Sequence, residues 1–179
     1  VGNGSAAVLR RSFIDRAAFP HPSDPQRICW FDEEFRQSED IEFWIRLSVK
    51  HSVKFEGISG LLTDYRIIGG ALSANIVNQY ISWEKMYRKL AEIAPDFVAR
   101  YGRMARGFQL RYLARRAVQL GDIGFSGELL LNALRSYPGM LWREPVKTFV
   151  TGLAIAVGKA LGKERFSSLA QRYLKGAAA

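Results

Sequence analysis

Glu39 and Asp40, in the stretch SEDIEFWIRL at residues 38–47, are the side chains best placed to do chemistry. Adjacent carboxylates at the head of an apolar helical run have two uses. One can act as a general base, taking the proton of a hydroxyl as its oxygen attacks an electrophile. Both can equally serve to start the helix, since acids in a first turn are favoured by the helix dipole by about 0.3–1 kcal/mol each. The two stand about 100° apart around a helix, so they cannot share a face. Other reactive residue types are thinner. His21 and His51 have no metal-ligand spacing. Cys29 is the only cysteine, which rules out an intrachain disulfide, fits a reducing compartment and reads as a buried thiol.

The elements that must position the acids are short. Ser38 is a plausible N-cap for a helix from about Glu39 to Lys50. Upstream, GSAAVLRRS (4–12) reads as a short strand passing into a helical turn at SFID (12–15). FPHPSDPQR (19–27) carries three of the six prolines and is expected to be an irregular surface loop, because proline removes a donor and restricts its predecessor. After the helix, VKFEGISGLLTDYRI (53–67) predicts two short strands broken near Gly57–Gly60, and GGALSAN (69–75) a turn into the next helix.

With 179 residues, 48% of them hydrophobic, the chain can bury a real core. Its net charge of +9 is uneven. Residues 1–79 hold 9 Lys/Arg against 10 Asp/Glu, and residues 80–179 hold 17 against 7. Texture changes at the same point, so a boundary is placed near Gln79. The fold class expected is an incomplete α/β remnant over 1–79, followed by a basic, mainly helical region over 80–179.

In that second region, Tyr101, Met104, Phe108 and Tyr112 form one apolar line and Leu110, Leu113, Ala117 and Leu120 another, which predicts a helix over about 96–120. A turn at Gly121-Asp122 and a second helix to about Ser136 complete a helical hairpin. Arg103, Arg106, Arg111, Arg115 and Arg116 suggest a positive stripe, for which a solvated face is the ordinary explanation. No nucleic-acid reader motif is present, and no nucleic-acid partner is expected. From Lys147 to Lys159, KTFVTGLAIAVGK encloses 11 uncharged residues, roughly 17 Å as helix and well short of a bilayer core of roughly 30 Å. This segment is expected either to pack in a core or to lie on an anionic membrane surface through residues 138–179. No signal-peptide pattern is visible.

LRRSFIDRAAF, then FDEEFRQSEDIEFWIRL, then YRIIGGALS, together resemble the acceptor-side half of a family 2 glycosyltransferase with the GT-A fold. The similarity covers about residues 5–75. Phe31-Asp32-Glu33 matches the family's turn, Ser38 to Leu47 its helix start, and Tyr65-Arg66 with Ser73 its last element. The resemblance implies an inverting transfer from a nucleotide-sugar donor to a glycan or lipid-linked acceptor, with Asp40 as the general base and Glu39 as second choice or acceptor contact. It implies substrate-binding roles for Tyr65, Arg66 and Ser73, with Arg66 near the leaving diphosphate. Trp44 would either stack on a sugar or, as the residue type favours, sit in the core. Arg46, seven residues after Glu39, would pair with it. The family's usual histidine two positions after Arg66 is replaced by Ile68.

The resemblance also implies a divalent metal, Mg or Mn, bound by an Asp-x-Asp site expected upstream of Val1. The residues FDEEF do not reproduce such a site, so the chain is expected to be inactive alone. The implied location is cytoplasmic, peripheral at the inner face of a membrane. The competing expectation is a non-catalytic helical interaction module, in which the acids only start a helix.

Overall fold

A computed structural model describes residues 6–60, 62, 75–162 and 165–166. The chain forms two compact units, Val1–Pro95 and Asp96–Ala179.

The first unit opens with helix α1 (Arg11–Arg16), strands β1 (Phe19–His21) and β2 (Asp24–Cys29), and helix α2 (Glu39–His51), and closes with helix α3 (Ile76–Ile93). The strands pair antiparallel, Phe19 opposite Cys29 and Pro20 opposite Ile28. This corrects the expected loop at 19–27. Two strands alone leave both outer edges free, so prolines cost few ladder bonds. The turn is held by side chains: Ser23 N donates to His21 Nδ1 at 3.2 Å and Gln26 N to Asp24 Oδ1 at 3.2 Å. The strand expected within 4–12 does not form over residues 7–10, and residues 53–60 form no strand. Leu9 and Val53 instead pack as irregular backbone against the core.

That core is Ala17, Phe43, Trp44 and Leu47. Phe43 and Leu47, one turn apart, put the apolar side of α2 inward, while Ser48 and Lys50 face solvent. Asn75 caps α3, its side chain accepting from Asn78 N at 2.9 Å. Ile76, Trp83, Met86 and Leu90 are the buried apolar residues of α3. The boundary expected near Gln79 therefore falls inside α3. That helix belongs to the first unit, tied to it by Lys85 and Lys89, which reach acids more than 45 residues earlier in the sequence.

The second unit holds α4 (Pro95–Gln119), α5 (Ile123–Ser136), α6 (Met140–Arg143) and α7 (Pro145–Leu161), α4 starting at the unit boundary. The expected hairpin is present. Gly121 supplies the turn at φ 79°, and Asp122 caps α5 by accepting from Phe125 N at 3.1 Å. The helix returns until Ser136 Oγ donates to Arg103 O at 3.1 Å. A β-carbon at Gly107 would lie 2.6 Å from Tyr137 Cβ, so the absence of a side chain there permits the approach. Of the two apolar lines, Leu110, Leu113 and Ala117 are buried, whereas Tyr101 and Tyr112 are exposed. Arg111 leaves the expected positive stripe: it is buried and ion-paired with Glu144. Helix α7 packs against α5 and α6. Among the described residues, no helix is long and apolar enough to cross a membrane.

Candidate active-site helix start

Helix α2 begins in an unusual way. Ser38 occupies the N-cap position with φ 62° and ψ 17°, in the left-handed region, and its side chain makes no capping bond. A capping serine normally has extended backbone, which swings its oxygen over the first free N–H groups. Left-handed backbone denies it that reach, so Ser38 holds the expected N-cap position without making the capping bond. Its carbonyl still starts the helix, accepting from Glu42 N at 2.9 Å. Asp40 Oδ1 accepts from Ile41 N at 2.8 Å. Glu39 is exposed and Asp40 half-buried, so only Asp40 combines partial shelter with access.

Beneath this turn lies a charged network that the sequence did not reveal. Glu42, only 3% exposed, accepts from Arg46 Nε at 3.0 Å and Lys89 Nζ at 2.7 Å through the same oxygen, Oε1. Lys89 also bonds Asp32 Oδ2 at 2.6 Å. Arg46 donates further to Ala17 O at 3.0 Å and Trp30 O at 2.6 Å, which ties α2 to the ends of α1 and the hairpin. The expected partner of Arg46 was Glu39. The observed one is Glu42, four residues before it on the same face. Burial alone would raise the Asp32 carboxyl. The hydrogen bond from Lys89, the Glu34 N–H and the charges of Lys89 and Lys85 outweigh it and hold the group below the usual carboxylate range.

Trp44 is a core residue. It is 7% exposed, with Phe43 at 5.1 Å and Phe55 edge-on at 6.1 Å between ring centroids, which leaves little of the ring open to a ligand. Tyr65, Arg66, Ile68 and Ser73 lie outside the described residues.

A cavity of about 220 Å³ opens beside the hairpin, lined in part by His21, Cys29, Asp32, Glu33 and Glu34. Neither Glu39 nor Asp40 lines it. Glu33 is ion-paired with Arg27, and His21 Nε2 stands 3.9 Å from its other oxygen. Burial pushes the Cys29 thiol up, and the neighbouring Glu33 carboxylate adds to this. Among the described residues, no three His, Cys, Asp or Glu side chains converge to hold a metal ion.

The sequence carried one signal for the missed network, the i, i+4 spacing of Glu42 and Arg46. Lys89, 57 residues from Asp32, left none. Comparison with family models, with curated proteins and with solved structures gives no match to this chain.

Proposed function

We propose that the first unit is the acceptor-side part of a family 2-like glycosyltransferase, moving a sugar with inversion from a nucleotide-sugar donor to a hydroxyl of a glycan or lipid-linked acceptor. Asp40 is the base. Its carboxylate takes the hydroxyl proton, the freed oxygen attacks the anomeric carbon, and the nucleoside diphosphate departs from the opposite face with the bonding electron pair. Glu39, exposed on the next face, receives an acceptor hydroxyl. Arg66 meets the charge that grows on the leaving diphosphate, and Tyr65 and Ser73 complete the contacts, all three by resemblance alone. The reading implies a cytoplasmic enzyme held peripherally at the inner face of a membrane.

One observation carries it. The acid pair follows directly on a serine held in left-handed backbone, a conformation that costs of order 1–3 kcal/mol and that, among the described non-glycine residues, only Ser52 at the far end of the helix shares.

The test supplies the nucleotide-binding half on the same polypeptide and measures nucleoside diphosphate release across a panel of sugar nucleotides. Asp40→Asn keeps size and removes the base, so release should fall at least about 100-fold with helix content unchanged. Equal release by both proteins, or none from any donor, would leave the acids as helix-starting residues.

A further inference from the structure

Helix α7 is amphipathic in the inverted sense: the face it turns away from its unit is the more apolar one. Thr148, Thr151, Ile155 and Gly158 are its buried residues. Both threonine hydroxyls are satisfied locally, donating to the carbonyls of Glu144 at 2.9 Å and Lys147 at 2.8 Å. Threonines bonded in this way can pack without reaching for water. Gly158 lets α5 come close, since a β-carbon there would lie 2.7 Å from Ile123 Cδ1. The larger apolar side chains point the other way. Val146, Phe149, Val150, Leu153 and Val157 are all exposed, Phe149 at 71%. At about 100° per residue, these five fall within an arc of about 100° centred opposite the buried face. Just before the helix, on α6, Trp142 is 84% exposed.

The charges around this stripe have one sign. Arg143 and Lys147 are exposed, Lys159 is exposed on the side toward α5 with its Nζ beside Gly127, and residues 145–162 contain no Asp or Glu. Glu144, at the head of the helix, is neutralised by Arg111 and Lys147.

We infer that this face of α7, with Trp142, docks on an anionic lipid bilayer, the helix lying in the plane of the headgroups. The 17 residues of α7 span roughly 26 Å, short of the hydrocarbon core, so the helix rests in the interface. Its valines, Phe149 and Leu153 sink toward the acyl chains while Arg143 and Lys147 meet lipid phosphates. Trp142 takes the headgroup level, where an amphipathic ring is most favoured. A second copy of the chain fits poorly, because pairing two such faces would set cationic rims together with no acid on 145–162 to compensate. The inference is independent of the glycosyltransferase reading, since it uses no residue of the acid pair.

The experiment sediments the full chain with vesicles of phosphatidylcholine alone or of phosphatidylcholine mixed with phosphatidylglycerol, at low and high salt. The chain should pellet with the anionic vesicles and be released by salt. Phe149→Asp combined with Leu153→Asp should lower partitioning at least tenfold while leaving the circular dichroism spectrum unchanged, because both side chains are exposed. Arg143→Gln combined with Lys147→Gln, which leaves the apolar stripe intact, should lower it by roughly an order of magnitude. Any of four results would overturn the inference: no pelleting, equal pelleting with neutral vesicles, pelleting indifferent to both double variants, or a solution dimer that fails to pellet and that the aspartates dissociate.

Discussion

Ser38 directs the chain into α2 through its backbone and not its hydroxyl, and that distinction can be measured. A β-branched side chain tolerates positive φ poorly, whereas glycine adopts it freely. Ser38→Val should therefore destabilise the first unit by about 1–2 kcal/mol, and Ser38→Gly should leave it unchanged or slightly more stable, as read by urea unfolding. If the hydroxyl were a cap after all, removing it would cost about 1 kcal/mol in valine and a few tenths in glycine, with no steric excess in valine. The acid pair at 39–40 was legible in the sequence because a run of like residues before an apolar period stands out. The ion network below it was largely hidden. Glu42 and Arg46 have the spacing of a helical pair, but burial decides that they bond each other, and Lys89 meets Asp32 and Glu42 only because α3 packs on α2.

Helices α2, α4 and α5 were legible to within a residue or two at each end, since period, glycine and proline mark them directly. Strands were not. The stretch at 19–27 looked too rich in proline to pair, yet a ribbon of two strands asks little of its outer edges, and Pro20 sits opposite Ile28. Conversely, the apolar residues near Leu9 suggested a strand, but Ala7 and Leu9 only part-bury against the core and Val8 is exposed, with no ladder over residues 7–10. Helix packing makes its own prediction at Gly107. A methyl there would meet Tyr137 Cβ at 2.6 Å, with Met140 Cε at 3.0 Å and the Ala133 carbonyl oxygen at 3.3 Å. Gly107→Ala gains helix propensity, yet overpacking of this kind costs about 1–3 kcal/mol. The second unit should lose stability on balance, its thermal midpoint falling by several degrees. A rise in that midpoint would show that the hairpin opens readily enough to admit the methyl.

Among the described residues, Asp32 in the first unit and Glu144 in the second are carboxylates held below their usual range, and both bear on how stability responds to acid. Burial opposes ionisation of Asp32, but the Lys89 hydrogen bond prevails. For Glu144 the bond from Lys147 leads, opposed by burial and reinforced by the charge of Arg111. Both have folded-state values lower than unfolded ones, so their contribution is fully present above the unfolded pKa and is lost as pH falls through the folded one. Acidification adds positive charge to a chain already at +9, which strengthens self-repulsion. Stability measured by urea unfolding should therefore be flat near neutrality and decline below the ordinary carboxylate range. Lys89→Met should flatten the part of that decline belonging to the first unit. An unchanged acid limb in that variant would mean that Asp32 is not held by Lys89. The division into units was legible as a shift in charge and texture, but its place was not, because α3 is assigned by side chains from distant parts of the sequence.

Cys29 turns one of these features into a clock. It is the only thiol in the chain, 5% exposed at the end of β2 and on the wall of the cavity beside the hairpin, so a thiol reagent too bulky for that cavity reaches it only when the hairpin lifts. The labelling rate, extrapolated to saturating reagent and compared with that of the unfolded chain, then gives the frequency with which this corner of the first unit opens while the rest stays folded. Because Arg46 pins Trp30 O, next in sequence to Cys29, loss of that guanidinium should quicken the clock well before it unfolds the protein.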